Sequence, residues 1–194
     1  GFMAQIPPGA NTAPRQQVPQ WLFAFDAAVM ASFRSLALLA SHPEQLERAR
    51  EEIGAHTPGL PFLRATVLEA LRLWPTTPMI LRQSTSETQW ESGRMPAGTG
   101  VLIHAPFFHR DDARLPAAHR FTPELWLDGA AGEDWPLVPF SDGPVTCPGR
   151  NLVLMLTSAM LATLLDGRTP GPASLAACST CPPPGDRLLR PPSV

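Results

Sequence analysis

The chain has 194 residues, of which 44% are hydrophobic and 16% are charged, and its formal charge at pH 7 is −2. These proportions are typical of a soluble globular domain with its own core and exclude an intrinsically disordered chain. The small charge, without a basic block, predicts neither nucleic acid nor a membrane surface as a partner. Three cysteines do not make a disulfide framework, so a cytoplasmic location is expected.

The first part of the chain predicts a lead-in followed by a long helix. Residues 1–19 are polar, are interrupted by prolines, and lack the basic and apolar regions of a signal peptide. From Gln20 to Leu39 the apolar residues recur at intervals of three and four, which is the helical period. This run carries Asp26 and Arg34, and a charge at a bilayer centre costs roughly 2.5 to 3.5 kcal/mol. We therefore expect a buried helix of a soluble protein and no membrane partner.

Two more helices are predicted before residue 76. The run Ser41–Glu44 has the pattern of a capping box with proline in the first turn, and a charged surface helix should follow it and stop at Gly54. The third helix should begin at Pro61, run through Leu73 and be ended by Pro75.

The pattern beyond Pro75 changes from the helical period to the strand period. It predicts a small antiparallel sheet with strands at Met79–Ser86, Thr88–Trp90 and Gly100–Ala105. Residues 106–139 have little periodicity and are predicted to be a long meander.

The last helix is predicted at Arg150–Leu165, and its sequence is apolar on nearly every side, which indicates burial. Residues 169–194 are rich in proline and small residues, so they are predicted to be an unstructured tail.

The loop before the last helix holds the residue with the clearest chemistry. Cys147 follows a bend at Gly143, precedes Gly149, and stands at a helix N-terminus, where amide groups favour negative charge. A thiolate is a metal ligand, and on haem iron it donates electron density that favours cleavage of the O–O bond. The glycines would let the backbone lie close to a flat macrocycle. A buried, inert thiol is the alternative for an isolated cysteine.

A second motif lies in the third helix. Glu69 and Arg72 are three residues apart, so they share one helix face and can form an ion pair. Most such pairs are solvated and contribute little. Here the neighbours Leu68 and Leu71 are apolar, which predicts a pair embedded among packed side chains.

Together the two motifs resemble a known family. Phe140, Gly143, Cys147 and Gly149 match the haem-loop pattern Phe-x-x-Gly-x-x-x-Cys-x-Gly of cytochrome P450. The order of elements also matches that family's C-terminal half: Glu-x-x-Arg, a proline-rich segment, strands, a meander and then the cysteine loop. The similarity covers residues of about 20–168. It implies a fold that is mainly α with a small antiparallel β-sheet, and a lead-in (1–19), a haem-binding half (20–168) and a tail (169–194).

The resemblance also implies roles for individual residues. Cys147 would be the axial ligand of haem b (iron protoporphyrin IX). Glu69 and Arg72 would brace the proximal core, and residues 75–81 would line the substrate side. Arg82 matches a position that often holds a basic residue on a haem propionate.

Three positions differ from the family pattern. Asp26 stands one position early in the family's Ala-Gly-x-Asp/Glu-Thr stretch, where no hydroxyl remains, and is the candidate proton relay. Leu125 replaces an arginine that would complete the brace, and Arg120 is the candidate substitute. Val145 replaces an arginine or histidine for a propionate, which makes Arg82 more important.

The implied activity is monooxygenation of a small hydrophobic organic substrate, with electrons from a ferredoxin- or flavodoxin-type donor. The family's pocket-closing helices would precede residue 1, so the chain is expected to be a fragment. A non-catalytic haem-binding remnant is the alternative. A metal or redox role for Cys178 and Cys181 is a third hypothesis. It ranks behind the other two, because their spacing gives only half of the four ligands that a structural zinc site needs.

Overall fold

The structure is a computed structural model that describes residues 14–127 and 137–167. The predicted lead-in before residue 14 and the predicted tail after residue 167 lie outside these ranges. The helices are α1 (Pro14–Ser41), α2 (Pro43–Gly54), α3 (Pro61–Leu73), α4 (Ala105–His109) and α5 (Arg150–Leu165). The strands are β1 (Met79–Gln83), β2 (Thr88–Trp90), β3 (Gly93–Met95) and β4 (Gly100–His104). Short 3-10 helices span Pro123–Trp126 and Gly143–Val145.

The helices follow the sequence pattern closely, but the expected capping box does not form. Helices α3 and α5 have the predicted bounds, and α1 begins at Pro14, before the predicted start at Gln20. The Ser41 hydroxyl donates back to the Leu38 carbonyl at 3.0 Å, and His42 Nδ1 lies 2.8 Å from the same oxygen. His42 is the N-cap of α2 and makes no side-chain cap bond. Pro43, whose φ suits a first turn, restarts the helix.

The strands form two separate two-stranded sheets where one sheet was expected. Strand β1 pairs antiparallel with β4, so that Leu81 lies opposite Leu102. Strand β2 pairs with β3, which the sequence pattern did not predict, and Trp90 lies opposite Gly93. Gly93 has φ 130°, a backbone conformation that requires glycine in this tight hairpin. The predicted meander also contains α4 and the 3-10 helix Pro123–Trp126.

The core is organised around α3. Every residue from Phe62 to Leu73 is buried except Arg64. Helices α1, α2, α4 and α5 and the 3-10 helix Pro123–Trp126 all contact α3. A short helix that buries all of its sides must satisfy each of its polar groups within the protein.

Apolar side chains on α1 and α5 are more exposed than the sequence analysis expected. The side chains Trp21, Leu22, Phe23, Phe25 and Val29 are between 47% and 69% exposed. The prediction of a buried helix is therefore wrong for this part of α1, whereas the later Leu38 and Leu39 are buried. On α5, Leu161 is buried, but Leu152, Met155 and Leu156 are exposed, so burial on every side is also wrong.

Helix α1 meets the length and composition of a membrane span. Its segment Val18–Ser41 is apolar enough to cross a bilayer, and 28% of the apolar window is buried. The buried part packs against α3 and α5. Length and composition are weak evidence here, because the core helix of a soluble protein passes the same test.

The N-terminus of α3 is capped from a distant position. Leu60, the N-cap, has φ 49° and provides no side-chain bond. The carboxylate of Glu52 instead accepts the amide hydrogens of Phe62 at 2.6 Å and Leu63 at 3.0 Å. Helix α2 was expected to be a surface helix, yet Glu52 is buried. A buried negative charge at a helix N-terminus is favourable because it satisfies free amides and opposes the macrodipole.

We expect Glu52→Ala to lower the free energy of unfolding by about 1 to 3 kcal/mol, since two buried amides lose their acceptor. Equilibrium urea unfolding followed by circular dichroism measures the change. The matched control is Glu51→Ala on the adjacent, exposed residue. Equal effects of the two substitutions would refute the capping role.

Candidate functional site

The loop between Phe140 and α5 forms a closed turn around Cys147. The amide of Cys147 donates to the carbonyl of Phe140 at 2.9 Å, and the amide of Arg150 donates to the carbonyl of Cys147 at 3.2 Å. Thr146 donates its amide to Gly143 at 3.1 Å. The Cys147 thiol is free and half-buried at the start of α5. The backbone bonds thus fix the main chain at Cys147 without a covalent crosslink.

Two glycines in this loop have different structural roles. Gly143 has φ 69°, which permits the turn into the short 3-10 helix. A Cβ at Gly149 would lie 3.8 Å from Cys147 Sγ, so glycine keeps that side of the sulfur free of a side chain. The potential metal donor in this loop is a single free thiol. This arrangement fits a flat metal complex bound through sulfur.

Arg82 is brought to the same loop from the sheet. Its Nη2 donates to the Ser141 hydroxyl at 2.7 Å, and its Nη1 donates to the Leu81 carbonyl at 2.9 Å. Ser141 has φ 63° and donates its amide to Val138 at 3.0 Å. The predicted anion-binding arginine therefore lies beside the cysteine loop, although the two are far apart in sequence.

The segment after α3 carries exposed apolar side chains. Met79 and Leu81 lie on one face of β1, and Leu81 is 75% exposed. Arg34 of α1 donates from Nη1 to the Trp74 carbonyl at 2.6 Å, directly before this segment. The contact ties α1 to the end of α3, next to the residues predicted to line a substrate pocket.

Behind the loop, Glu69 and Arg72 form an ion pair with no exposed surface. Arg72 Nε donates to Glu69 Oε2 at 2.8 Å, and Nη2 donates to Oε1 at 2.7 Å. Its remaining donors reach the carbonyls of His109, Ala117, Ala118 and Arg120 at 2.6 to 3.1 Å. Burial of two charges is tolerable only when they are paired and fully hydrogen-bonded, and this pair is both.

Glu69 receives two further donors, and neither is a second arginine. The amide of Thr122 donates to Oε1 at 2.9 Å, and Trp126 Nε1 donates to Oε2 at 2.9 Å. Arg120, the expected substitute, has an exposed side chain and provides its carbonyl to Arg72. Trp126 was not predicted as a donor from the sequence, although it stands next to Leu125, which occupies the position of the expected arginine.

His109 joins this brace to the chain that enters the cysteine loop. Its imidazole is fully buried, Nε2 accepts the amide hydrogen of Val138 at 2.9 Å, and its carbonyl accepts from Arg72. Desolvation lowers its pKa to about 4, and the nearby charge of Arg72 also lowers it. His109 is therefore neutral, and its hydrogen bonds give it a structural role.

The family follows from the comparison with known sequences. The sequence model described as cytochrome P450 matches residues 15–167, which is most of the chain. The chain belongs to the cytochrome P450 family. The predicted recognition and the mainly α fold with a small antiparallel component are confirmed.

Individual P450 relatives match about two thirds of the chain. Cytochrome P450 93G1 of Oryza sativa subsp. japonica is 38% identical over 148 residues, 67% of this chain and 29% of the relative. Cyclooctat-9-en-7-ol 5-monooxygenase of Streptomyces melanosporofaciens is 34% identical over 139 residues, 66% of this chain and 30% of the relative. The crystal structure of a cytochrome P450 (CYP102L1) matches with a TM-score of 0.69 and 27% identity, covering 77% of this chain and 37% of that chain.

Two of the relatives are named monooxygenases, which is the class of oxidoreductase that the sequence analysis expected. Membership in the P450 family implies haem as the cofactor. The chain spans about 30% of the curated relatives that it matches. The roles assigned to individual site residues stay predictions. Asp26, the candidate proton relay, lies exposed on α1.

We expect stability to fall as the pH drops from 6.5 to 4 because of His109. Above pH 6.5 the imidazole is neutral in both states, so the stabilisation is fully present. Between these values the unfolded chain binds a proton that the folded chain does not, which costs about 3 kcal/mol in total. Urea unfolding across this pH range, compared between wild type and His109→Gln, measures the loss.

The control for this titration is His119→Gln, since His119 is exposed. His119→Gln should retain the wild-type pH dependence, whereas His109→Gln should flatten it. A His109→Gln curve parallel to the wild type would contradict the assignment.

Proposed function

We propose that this chain holds haem b with Cys147 as the axial thiolate and forms the haem-binding portion of a monooxygenase. The observation that carries the proposal is the free thiol of Cys147, held by backbone bonds at the start of α5 with Gly149 beside it. Membership in the P450 family supports it. When bound, haem supplies the activation of dioxygen, and a thiolate ligand favours O–O cleavage.

We assign the other roles in haem binding to residues of the loop, the sheet and α3. Phe140, Gly143 and Gly149 shape the loop around the ligand, and Arg82 provides a positive charge for a propionate. This assignment is supported by the bond from Arg82 to Ser141, which holds the guanidinium beside the loop. Glu69 and Arg72 act as a structural brace and do not touch the cofactor.

We assign Asp26 to proton delivery and the apolar surface to substrate binding. Asp26 is the acidic residue of α1 and lies among exposed aromatic and aliphatic side chains. The exposed Met79 and Leu81 favour a small hydrophobic organic substrate, because burying them against it is favourable. One atom of dioxygen would enter a C–H bond of that substrate, and the other would leave as water after uptake of two electrons from the redox partner and two protons.

For the partner and the compartment, we propose a ferredoxin- or flavodoxin-type electron donor and a cytoplasmic location. The packing of Leu38 and Leu39 against other helices supports this location over insertion of the whole α1 in lipid. Arg34 also supports the cytoplasmic location, since its guanidinium donates a hydrogen bond to the Trp74 carbonyl within the protein.

The deciding experiment is the carbon monoxide difference spectrum of the reduced, haem-loaded chain. We expect the red-shifted Soret band of a thiolate-ligated haem, and we expect Cys147→Ser to abolish it. The matched controls are Cys178→Ser and Cys181→Ser, which should leave the band unchanged.

A wild-type spectrum without the shifted band, or one that survives Cys147→Ser, would overturn the ligand assignment. Turnover with a ferredoxin reducing system then separates the monooxygenase from the non-catalytic remnant. Product formation by the loaded chain supports the former, and a correct spectrum without product supports the latter.

We expect Arg82→Ala to weaken haem binding about tenfold or more, because a charge-assisted bond to a propionate is worth roughly 1.5 to 3 kcal/mol. Haem titration followed by absorbance gives the dissociation constant. Arg94→Ala, which removes an exposed arginine of β3, is the control and should change the constant by less than about twofold. Equal affinities of Arg82→Ala and wild type would exclude the propionate role.

A further inference from the structure

We infer that Trp126 is the positioning residue that completes the buried Glu69–Arg72 pair, by donating its indole N–H to Glu69 in place of a second buried cation. This inference does not depend on haem binding. It concerns how the scaffold behind the cysteine loop is fixed, and it assigns a role to a side chain that the sequence analysis left unassigned.

Four hydrogen bonds satisfy the Glu69 carboxylate. Glu69 Oε1 accepts from Arg72 Nη2 and from the Thr122 amide, and Oε2 accepts from Arg72 Nε and from Trp126 Nε1, all at 2.7 to 2.9 Å. Each oxygen thus has two donors, which matches its two lone pairs. Without the indole, Oε2 would keep one donor in a site that water does not reach.

The net charge of the buried site favours a neutral donor. Glu69 and Arg72 sum to zero, and neither has exposed surface. A second guanidinium would leave one positive charge uncompensated in this interior, which is costly. An indole donates one hydrogen bond and adds no charge. Leu125 stands at the position of the expected arginine, so the indole of Trp126 supplies a neutral donor and the site keeps zero net charge.

Trp126 lies next to both the ion pair and the cysteine loop. The residue ends the 3-10 helix Pro123–Trp126, is half-buried, and packs against the core. It also lines a cleft of about 330 Å³ together with Phe140, Ser141 and Thr146 of the cysteine loop. The indole therefore lies between the brace and the loop, so a shift of the ring would reach both.

A competing interpretation is that Trp126 only fills space in the core. Trp126→Phe separates the two, because phenylalanine keeps an aromatic ring and loses the N–H. We expect this variant of the full chain to raise the unfolded-to-folded ratio about 10- to 100-fold in urea unfolding, the range for a hydrogen bond to a charged group.

The matched control is Trp90→Phe. Trp90 also donates from Nε1, at 2.8 Å to the Thr88 hydroxyl, but it lies exposed on β2. We expect a change within about threefold for this variant. A Trp126→Phe ratio within threefold of wild type would overturn the inference.

A second variant tests the charge argument. If Trp126 already fills the donor position, Leu125→Arg adds a cation that finds no free acceptor on Glu69, so it should leave the wild type unchanged or less stable. A stabilisation of tenfold or more by Leu125→Arg would show that Glu69 lacked a donor and would overturn the inference.

A spectroscopic measurement on the wild type covers the case in which Trp126→Phe does not fold. In the ¹⁵N-labelled chain, we expect the indole proton of Trp126 to resonate downfield of that of Trp90 and to exchange with solvent at least about 100-fold more slowly. An indole proton of Trp126 with the shift and exchange rate of Trp90 would overturn the inference.

Discussion

The buried ion pair of Glu69 and Arg72 holds together the segments of the chain that surround α3. Both charges lie in a fully buried site, where each unpaired donor or acceptor would cost more than a surface bond returns. Their partners come from α3, α4 and the chain around Ala117–Trp126. These segments cannot move independently, because moving any one of them would leave a buried charge incompletely bonded.

The cysteine loop is held in place by side chains that are distant from it in sequence. His109 bonds Arg72 through its carbonyl and Val138 through its imidazole, so the segment before the loop is fixed to α4. Arg82 holds the same loop from the sheet through Ser141. The main chain at Cys147 is thus held by backbone bonds that are themselves fixed from two sides, a form of preorganisation useful for a single metal ligand.

Helix α3 is secured at both ends as well as in its middle. The carboxylate of Glu52 satisfies the first amides, and the guanidinium of Arg34 satisfies the Trp74 carbonyl at the far end. The 3-10 helix that carries Trp126 has a second anchor in the ion pair of Arg48 with Glu124. This support around α3 contrasts with the exposed apolar side chains of α1 and β1, where we propose proton delivery and substrate binding.

From the sequence one can predict the bounds of α3 and α5, the loop around Cys147, and the pairing of Glu69 with Arg72, because these features are local and follow from period, proline position and spacing. Three other features depend on packing: the further donors to Glu69, the cap that Glu52 provides for α3, and the exposure of the first part of α1. Trp126 and Glu69 are 57 residues apart, so no helical or strand period relates them. Contacts of that kind arise from packing, which brings together side chains whose separation in sequence carries no signal.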